Sequence, residues 1–500
     1  MIAALALSAL AGCVALSYEI LWFRAYSFAS GGAAPAFAFM LGFYLLGLAL
    51  GAAAARSFCR EGAAKAPLGP LAAFALLANA LGFLLVPAMA WLLAHGFGWT
   101  GTLPLVALAA GSLGAIFPLI SHFAVAPDSR AGARVSYIYL ANIVGCASGS
   151  LVTGFVLMDR WSMGGISLLL GLLGLGLAAL VLAVSRPPRR RLLVGLGGIG
   201  VLAALLVLAA PALFDEVYEK LQFKSRYRPG MRFAHVVETR SGVITVTEDG
   251  RIFGGGIYDG AYNTGLEDDR NLVIRAYALA GLHRAPRDVL MIGLSSGSWA
   301  AVVAAHPRVE RLTVVEINPG YIRLLRRYPM VAGLLEDPKV RIEFDDARRW
   351  LVRNRDRRFD AVIANTTFHW RSNATNLLSA EFLELVRAHL KPGGVYFFNT
   401  TGSSRVQKTW SSGFPHALMV YNCMAVSDSP VDLDLGLLRE RLRAYGADGR
   451  PAAGPAQVEE ALSKLAANLE PREKILARTR DLLPVTDDNM GTEWAGYPER

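Results

Sequence analysis

The sequence predicts a multi-domain protein with an N-terminal bundle of transmembrane α-helices, a small β-hairpin domain and a C-terminal α/β domain. The chain of 500 residues is 53% hydrophobic and only 18% charged, which is too apolar for an ordinary soluble protein. The apolar excess lies in residues 1–212. Further along the chain, alternating apolar and polar residues give way to short apolar runs that are separated by helical stretches, as in an α/β domain.

Seven apolar runs within residues 1–212 are long enough to cross the hydrocarbon core of a bilayer, which takes about 20 residues. The first run has neither a basic segment before it nor a small-residue cleavage site after it, so we expect it to remain in the chain. The sequence thus predicts seven spans, at about 2–23, 34–55, 68–94, 102–126, 135–157, 162–184 and 192–212.

Basic residues between these runs predict the orientation of the bundle. Residues 1–212 contain 11 Lys/Arg and 4 Asp/Glu. Most of the basic residues, among them Arg60, Lys65, Arg130 and Arg186, follow the second, fourth and sixth runs. Cytoplasmic loops are enriched in Lys and Arg, so the N-terminus is predicted inside and the C-terminal domain outside. No basic stripe with interleaved aromatic residues is present, so we expect no nucleic-acid partner.

The remaining residues divide into four segments. Residues 213–230 are charged and aromatic, and we expect a connector along the membrane surface. Residues 231–266 alternate apolar and polar residues around Gly-containing turns, which predicts a small antiparallel hairpin domain. Residues 267–430 predict a parallel sheet flanked by helices, and residues 431–500 a helical and acidic extension. The strands of the parallel sheet are predicted at 289–293, 312–317, 340–344, 359–365 and 393–401.

The turn after the first of these strands has the spacing of a nucleotide-binding loop. Gly293, Ser295 and Gly297 lie between the strand and a helix, where small residues allow the backbone to approach a ligand closely. Glu316 ends the second strand 23 residues after Gly293, where an acidic side chain can accept both ribose hydroxyls.

Asp345 and Asp346 end the third strand, where a carboxylate can receive an adenine amino group. Because the carboxyl ends of parallel strands converge on one crevice, we expect these acids and Glu316 to hold one adenosine moiety in a Rossmann-like domain. The alternative is that Glu316 and Asp346 merely cap helices.

The order and spacing of these segments resemble the spermidine synthase (polyamine aminopropyltransferase) family, in particular its bacterial membrane-fused branch. The similarity covers about residues 230–430 and is carried by PRDVLMIG, HPRVERLTVVEINP, DDARRWL, FDAVIAN and LKPGGV. The resemblance implies a homodimer in the bacterial inner membrane that transfers an aminopropyl group to an amine. It implies decarboxylated S-adenosylmethionine or S-adenosylmethionine as co-substrate and no metal. It also implies a nucleoside site formed by Gly293, Ser295, Gly297, Glu316, Asp345 and Asp346.

One position departs from the family where catalysis is expected. The family's fourth strand ends in an aspartate that helps to deprotonate the attacking amine, whereas this chain has Asn365. An amide cannot accept that proton, and His369 is the nearest candidate base because an imidazole titrates near neutral pH. An ordinary loop histidine is the alternative. Arg371 would repel a polycation and suits a carboxylate or phosphate.

Acidic and aromatic residues near the hairpins predict the substrate side of the site. Glu267 and Asp268 fall near the family's acidic gate to the polyamine, although a helix N-terminus also favours acidic residues. Tyr258 and Tyr262 are expected to form pocket walls.

The leading hypothesis is a membrane-anchored aminopropyltransferase-like enzyme. Its expected partners are membrane lipid and a small-molecule amine or lipid-linked acceptor. Two alternatives remain open. One is a catalytically degenerate accessory or sensor protein that binds a nucleoside or polyamine, and the other is a methyltransferase acting on a lipid-linked or surface substrate. The predicted outside position of the α/β domain conflicts with the cytosolic supply of an S-adenosyl co-substrate.

Overall fold

The computed structural model describes residues 1–59, 69–269, 271–365, 368–447 and 451–494. Arg60 and Lys65, which contribute to the predicted orientation, lie outside the described residues. The chain divides into two compact units. The first comprises Met1–Gly31, Pro35–Phe233 and Glu238–Val243, and the second comprises Gly32–Ala34, Ala234–Val237 and Ile244–Arg500.

The first unit is built mainly from long apolar helices. Seven segments within its described residues are long and apolar enough to cross a membrane, and they coincide in position with the seven predicted runs. The fifth of these segments, Ala131–Arg160, contains a π-helical turn at Thr153–Leu157. The helices are α1 (Ile2–Ser30), α2 (Pro35–Ala55), α3 (Gly69–Ala94), α4 (Leu103–Gly114), α5 (Ile116–Ala124), α6 (Ala131–Val152), α7 (Met158–Arg160), α8 (Met163–Val184), α9 (Arg189–Phe214) and α10 (Val217–Phe223).

Glycines allow helices of this unit to approach each other closely. A Cβ atom at Gly51 in α2 would lie 1.7 Å from the carbonyl oxygen of Gly111 in α4. A Cβ at Gly149 in α6 would lie 2.2 Å from the carbonyl oxygen of Cys13 in α1. Small residues at four-residue spacing are typical of helices that pack closely in lipid, and here no larger side chain fits without moving a helix.

A four-stranded sheet of hairpins precedes the larger sheet, as predicted. Its strands are β1 (His235–Thr239), β2 (Gly242–Val246), β3 (Arg251–Gly254) and β4 (Ile257–Ala261), arranged in that order. The pairs β2–β3 and β3–β4 are antiparallel.

The larger sheet contains five parallel strands at the predicted positions. They are β5 (Asp288–Ile292), β6 (Arg311–Glu316), β7 (Val340–Phe344), β8 (Phe359–Ala364) and β9 (Leu390–Asn399). Three strands that the sequence did not predict extend the sheet antiparallel to its neighbours: β10 (His416–Val420), β11 (Cys423–Ser427) and β12 (Leu469–Pro471). The spatial order is β12-β10-β11-β9-β8-β5-β6-β7.

Helices accompany this sheet on both faces. They are α11 (Ile274–Tyr277), α12 (Leu279–Leu282), α13 (Ser298–Ala305), α14 (Gly320–Leu325), α15 (Pro329–Ala332), α16 (Ala347–Arg353), α17 (Ala380–Arg387), α18 (Ser404–Gly413), α19 (Leu435–Ala444), α20 (Pro455–Ala467) and α21 (Arg472–Arg478). Along β5, Val289 and Met291 pack into one hydrophobic core, whereas Leu290 and Ile292 pack into another. Burial on both faces explains why this strand is a continuous apolar run.

Candidate functional site

The turn after β5 adopts backbone conformations that favour glycine. The φ angles are +88° at Gly293, +48° at Ser295 and +76° at Gly297. A Cβ at Gly297 would lie 2.5 Å from a side-chain carbon of Leu325, so conformation and space both select glycine there. Ser295 holds a positive φ despite its side chain, and its hydroxyl donates to the carbonyl oxygen of Asp259 in β4.

Glu316, the last residue of β6, is buried against this turn. Its carboxylate accepts hydrogen bonds from the backbone N–H groups of Leu294 and Asn318, each at 2.7 Å. Burial raises the pKa of Glu316 to about 7, although the two N–H donors oppose that shift. A carboxylate offers about four lone-pair sites, so these two bonds leave acceptor capacity for a ligand hydroxyl. Glu316 therefore fixes the glycine-rich turn in place.

The two aspartates after β7 are engaged by α16. The carboxylate of Asp345 is bonded to the guanidinium groups of Arg349 and Arg353. Asp346 is the N-cap of α16, where its side chain accepts from the backbone N–H of Arg349 at 2.8 Å. The strand ends are adjacent as predicted, since the backbone N–H of Asp345 donates to the carbonyl oxygen of Glu316 at 3.2 Å. However, Glu316 is the one of these three acids that contacts the turn. This differs from the expectation that three carboxylates together hold the adenosine moiety.

A polar cavity of about 240 Å³ lies near the carboxyl ends of β8 and β9. Asn365 follows β8 and Asn399 ends β9, and both line it. This is the edge where sheets of this type bind ligands. The other polar residues that line it include Tyr258, Asp259, Asn271, Arg275, Thr401 and Asn422.

The asparagines of the cavity form a chain of hydrogen bonds that begins at Arg275. The guanidinium donates to Oδ1 of Asn422 at 2.7 Å, and Nδ2 of Asn422 donates to Oδ1 of Asn399 at 2.9 Å. In turn, Nδ2 of Asn399 donates to Oδ1 of Asn365 at 3.1 Å. A guanidinium can only donate, so this direction fixes the orientation of each amide along the chain. The backbone N–H of Thr401, at 2.8 Å from Oδ1 of Asn399, supports the same orientation. The side-chain oxygen of Asn365 is thus an acceptor within the chain, and its NH₂ group is the terminal donor.

Asp259 belongs to a second polar group that includes Arg371. The hydroxyl of Tyr321 donates to the Asp259 carboxylate. Burial raises the pKa of Asp259, against the opposing effects of Tyr321 and Arg371. Burial likewise lowers the pKa of Arg371, and Asp259 opposes that change. Arg371 is not among the described residues that line the cavity, and its charge is balanced by Asp259.

His369 is buried beside the cavity. Its Nδ1 lies 2.8 Å from the hydroxyl oxygen of Thr401, and its backbone N–H donates to the same oxygen at 3.1 Å. Thr401 lines the cavity, so the imidazole is linked to the cavity through a hydroxyl group. The hydroxyl of Thr492 donates to the carbonyl oxygen of His369 at 2.7 Å, which connects this loop to the C-terminal segment.

Glu493 holds the same loop from the C-terminal side. This residue is 2% exposed, and its two carboxylate oxygens accept from the backbone N–H groups of Asn373 at 3.0 Å and Thr375 at 2.9 Å. The acidic C-terminal segment therefore holds the backbone at Asn373 and Thr375 in place.

The residues expected on the substrate side fall into different places. Tyr258 lines the cavity and donates to the Oδ1 atom of Asn271 at 2.9 Å. Tyr262 is buried in the core, where it stacks on Tyr328 with ring centroids 3.5 Å apart, so it is not the expected pocket wall. Glu267 and Asp268 line another cavity, of about 420 Å³, which has no lining residue in common with the cavity at Asn365.

Sequence reasoning did not identify Arg275, Asn399 or Asn422 as site residues. Asn399 was recoverable because it lies near the carboxyl end of the strand predicted at 393–401, at the ligand-binding edge. Arg275 lies in a short helix, and Asn422 lies in the tight turn between two strands that were not predicted.

The fold and this site define a Rossmann-like α/β domain with a glycine-rich turn after its first strand. Residues 277–412 match the family model described as "Spermine/spermidine synthase domain". Polyamine aminopropyltransferase 2 of Streptomyces coelicolor is 29% identical over 76% of this chain and 70% of its own length. The polyamine aminopropyltransferase of Moorella thermoacetica is 33% identical over 28% of this chain and 52% of its own length. The chain therefore carries a spermidine synthase domain and is homologous to polyamine aminopropyltransferases.

Solved structures of spermidine synthases show lower similarity. The spermidine synthase of Thermotoga maritima is 19% identical, with a TM-score of 0.37, over 46% of this chain and 88% of that chain. A spermidine synthase in complex with the transition state analogue AdoDATO has the same identity and coverage, with a TM-score of 0.38.

Proposed function

We propose that this protein is a membrane-anchored, spermidine-synthase-like transferase. It binds an S-adenosyl nucleoside and transfers an aminopropyl or related alkyl group to an amine. The observation that carries this proposal is the glycine-rich turn, which the buried Glu316 holds in place. Ser295 of this turn donates to the carbonyl oxygen of Asp259, a residue that lines the polar cavity at the carboxyl edge of the sheet. The match of residues 277–412 to the spermidine synthase domain supports the same class of activity.

The nucleoside lies, in this proposal, against Gly293 and Gly297, with its ribose hydroxyls on Glu316. The N–H groups that bind Glu316 position its carboxylate at the end of β6. Asp345 and Asp346 contribute to adenine recognition only if the ligand competes with their bonds to α16.

The reaction is a displacement at the carbon next to the sulfonium. A bond forms between the amine nitrogen and that carbon as the carbon–sulfur bond breaks. The electron pair of the broken bond stays on sulfur, methylthioadenosine leaves, and the nitrogen loses one proton. Such a reaction depends chiefly on positioning of the two reactants. Asn365 cannot take the proton, so we assign the proton path to Thr401 and His369.

A second candidate function is a catalytically degenerate accessory or sensor protein. The observation that favours it is the orientation of Asn365, whose oxygen accepts from Asn399 and so presents a donor where a base is expected. A methyltransferase would use the same nucleoside site and differ in the group that it transfers.

The seven long apolar helices support a multi-pass position in the bacterial inner membrane. On the positive-inside rule we propose that the spermidine synthase domain lies outside, which requires a source of co-substrate on that side. A reporter fused after the last residue tests this orientation. Activity of a reporter that works only in the cytoplasm would contradict it.

The transfer itself is tested with the purified full chain in detergent. Decarboxylated S-adenosylmethionine and S-adenosylmethionine are each supplied with an isotopic label in the propyl chain and, separately, in the methyl group, together with putrescine or a lipid extract. Label from the propyl chain in the acceptor supports the proposed transferase, and label from the methyl group alone supports a methyltransferase. Saturable donor binding without any transfer supports the sensor. A Glu316→Gln variant serves as control, because it should weaken donor binding in every case.

A further inference from the structure

The charge of the cavity differs from what a polyamine requires. Arg275 is the one cationic residue among the described residues that line it, and Asp259 is the one carboxyl group. Tyr321 and Arg371 already act on Asp259, so this carboxyl group is balanced by the protein itself. A diamine with two ammonium groups would therefore meet the Arg275 guanidinium, and the one carboxyl group on the wall already has a cationic neighbour.

The groups that accept hydrogen bonds from Arg275 are all neutral. The guanidinium donates to the carbonyl oxygens of Leu272 and Asn271, each at 2.9 Å, and to Oδ1 of Asn422. It also lies over the ring of Trp299, with 5.3 Å between the guanidinium carbon and the ring centroid. These contacts hold the guanidinium rigidly, and none of them is to a carboxylate. The nearby Asp269 carboxylate accepts instead from the backbone N–H groups of Val273 and Ile274. A buried positive charge of this kind is stabilised most strongly by an anionic ligand.

The chain of asparagine amides adds a second feature that, like the charge of Arg275, favours a negatively charged oxygen. Each asparagine from Asn422 to Asn365 uses its oxygen to accept from the preceding donor. Consequently the chain ends at Asn365 with an N–H donor group on the cavity wall. A donor at this end suits the oxygen of a ligand and repels an ammonium group.

We propose that this cavity binds a carboxylate group, recognised by the charge of Arg275 and the terminal donor of Asn365. The inference rests on the proposed function, because it places the carboxylate on one of the two reactants. If the donor carries it, the co-substrate is S-adenosylmethionine and the transferred group is 3-amino-3-carboxypropyl. If the acceptor carries it, the nucleophile is an amino acid-like amine. In both cases the same nitrogen–carbon bond forms, methylthioadenosine leaves and the carboxylate remains unchanged.

Calorimetric titration of the full chain in detergent tests the proposal with matched ligands. Methylthioadenosine, which lacks the side chain in question, measures nucleoside binding alone. S-adenosylmethionine and its decarboxylated form differ only in the carboxylate of the donor. With methylthioadenosine present at saturation, 4-aminobutyrate and putrescine compare a carboxylate with an ammonium at one end of a similar acceptor.

We expect the carboxylate-bearing member of one pair to bind at least about ten-fold more tightly, a difference of ~1.4 kcal/mol. The pair that shows this preference identifies which reactant carries the carboxylate. Equal binding, or tighter binding of the decarboxylated donor and of putrescine, would overturn the inference. Absence of methylthioadenosine binding would instead contradict the proposed function, so the two failures are distinguishable.

An Asn365→Asp variant locates the effect in this cavity. It replaces the terminal donor with an acceptor and adds a negative charge, so the preference for the carboxylate should fall by about ten-fold or reverse. An unchanged preference would place carboxylate recognition elsewhere and contradict the assignment. The ligand pairs on the unmodified protein give their result whether or not this variant folds.

Discussion

Replacing Glu493 with alanine should release the loop that follows Asn365. The carboxylate of Glu493 accepts from the backbone N–H groups of Asn373 and Thr375, and the side chain is buried. A hydrogen bond to a charged group contributes about 1.5–3 kcal/mol, so two of them stabilise the closed loop by roughly 3–6 kcal/mol. Because ~1.4 kcal/mol corresponds to a ten-fold change, local opening should increase by at least about 100-fold.

Hydrogen–deuterium exchange of the full chain measures this opening. In the Glu493→Ala variant, the amides of Asn373 and Thr375 should exchange at least about 100-fold faster, because each loses its acceptor. Asp481→Ala is the matched control, since the side chain of Asp481 is 85% exposed and pairs with Arg480 at the surface. Unchanged exchange at both loop amides in Glu493→Ala would refute the reasoning that this segment holds the loop.

Three further predictions concern other parts of the structure. The pKa of Glu316, about 7 in the folded protein against an ordinary 4.5, means that its contribution to stability is fully present below pH 4.5 and is lost as pH rises through about 7. In the unmodified protein, the free energy of unfolding should fall by about 3 kcal/mol over this pH range. Glu316→Gln should remove that fall, so its melting temperature should drop less between pH 5 and 8 than that of the unmodified protein. Gly297→Ala should weaken nucleoside binding in titrations, because φ is +76° and the added Cβ would lie 2.5 Å from Cδ2 of Leu325. Gly51→Ala should lower the melting temperature of the helical unit. Gly42→Ala in the same helix should not, because no described atom lies within 4 Å of its added Cβ. Equal effects of the two variants would contradict the close contact between α2 and α4.

The parallel strands and apolar helices could be predicted because each is specified by a local pattern. The strand β5 is a continuous apolar run, and the turn after it has the Gly293 and Gly297 spacing of a ligand loop. Length and hydropathy alone place the seven long helices.

The antiparallel edge of the sheet was missed although a signal was present. The runs at His416–Val420 and Cys423–Ser427 are separated by two residues, Tyr421 and Asn422, as in a two-residue hairpin. Tyr421 has a positive φ of +58°, a conformation that a tyrosine gives no reason to expect.

The polar network of the cavity could not be predicted from local patterns. Arg275 and Asn422 are separated by 147 positions in the sequence, and Asn399 and Asn365 by 34. Their contacts depend on the order of strands in the sheet, which brings β9 between β8 and β11. For the same reason the sequence could show that Asn365 replaces an acid but not that its NH₂ group would be the end of a donor chain.

A structure of the full chain determined with bound methylthioadenosine tests the central claim most directly. We predict that the ribose hydroxyls lie within about 3 Å of the Glu316 carboxylate, with the thioether directed toward the cavity lined by Asn365. A nucleoside bound elsewhere, or a glycine-rich turn that stays empty at saturating ligand, would contradict the account.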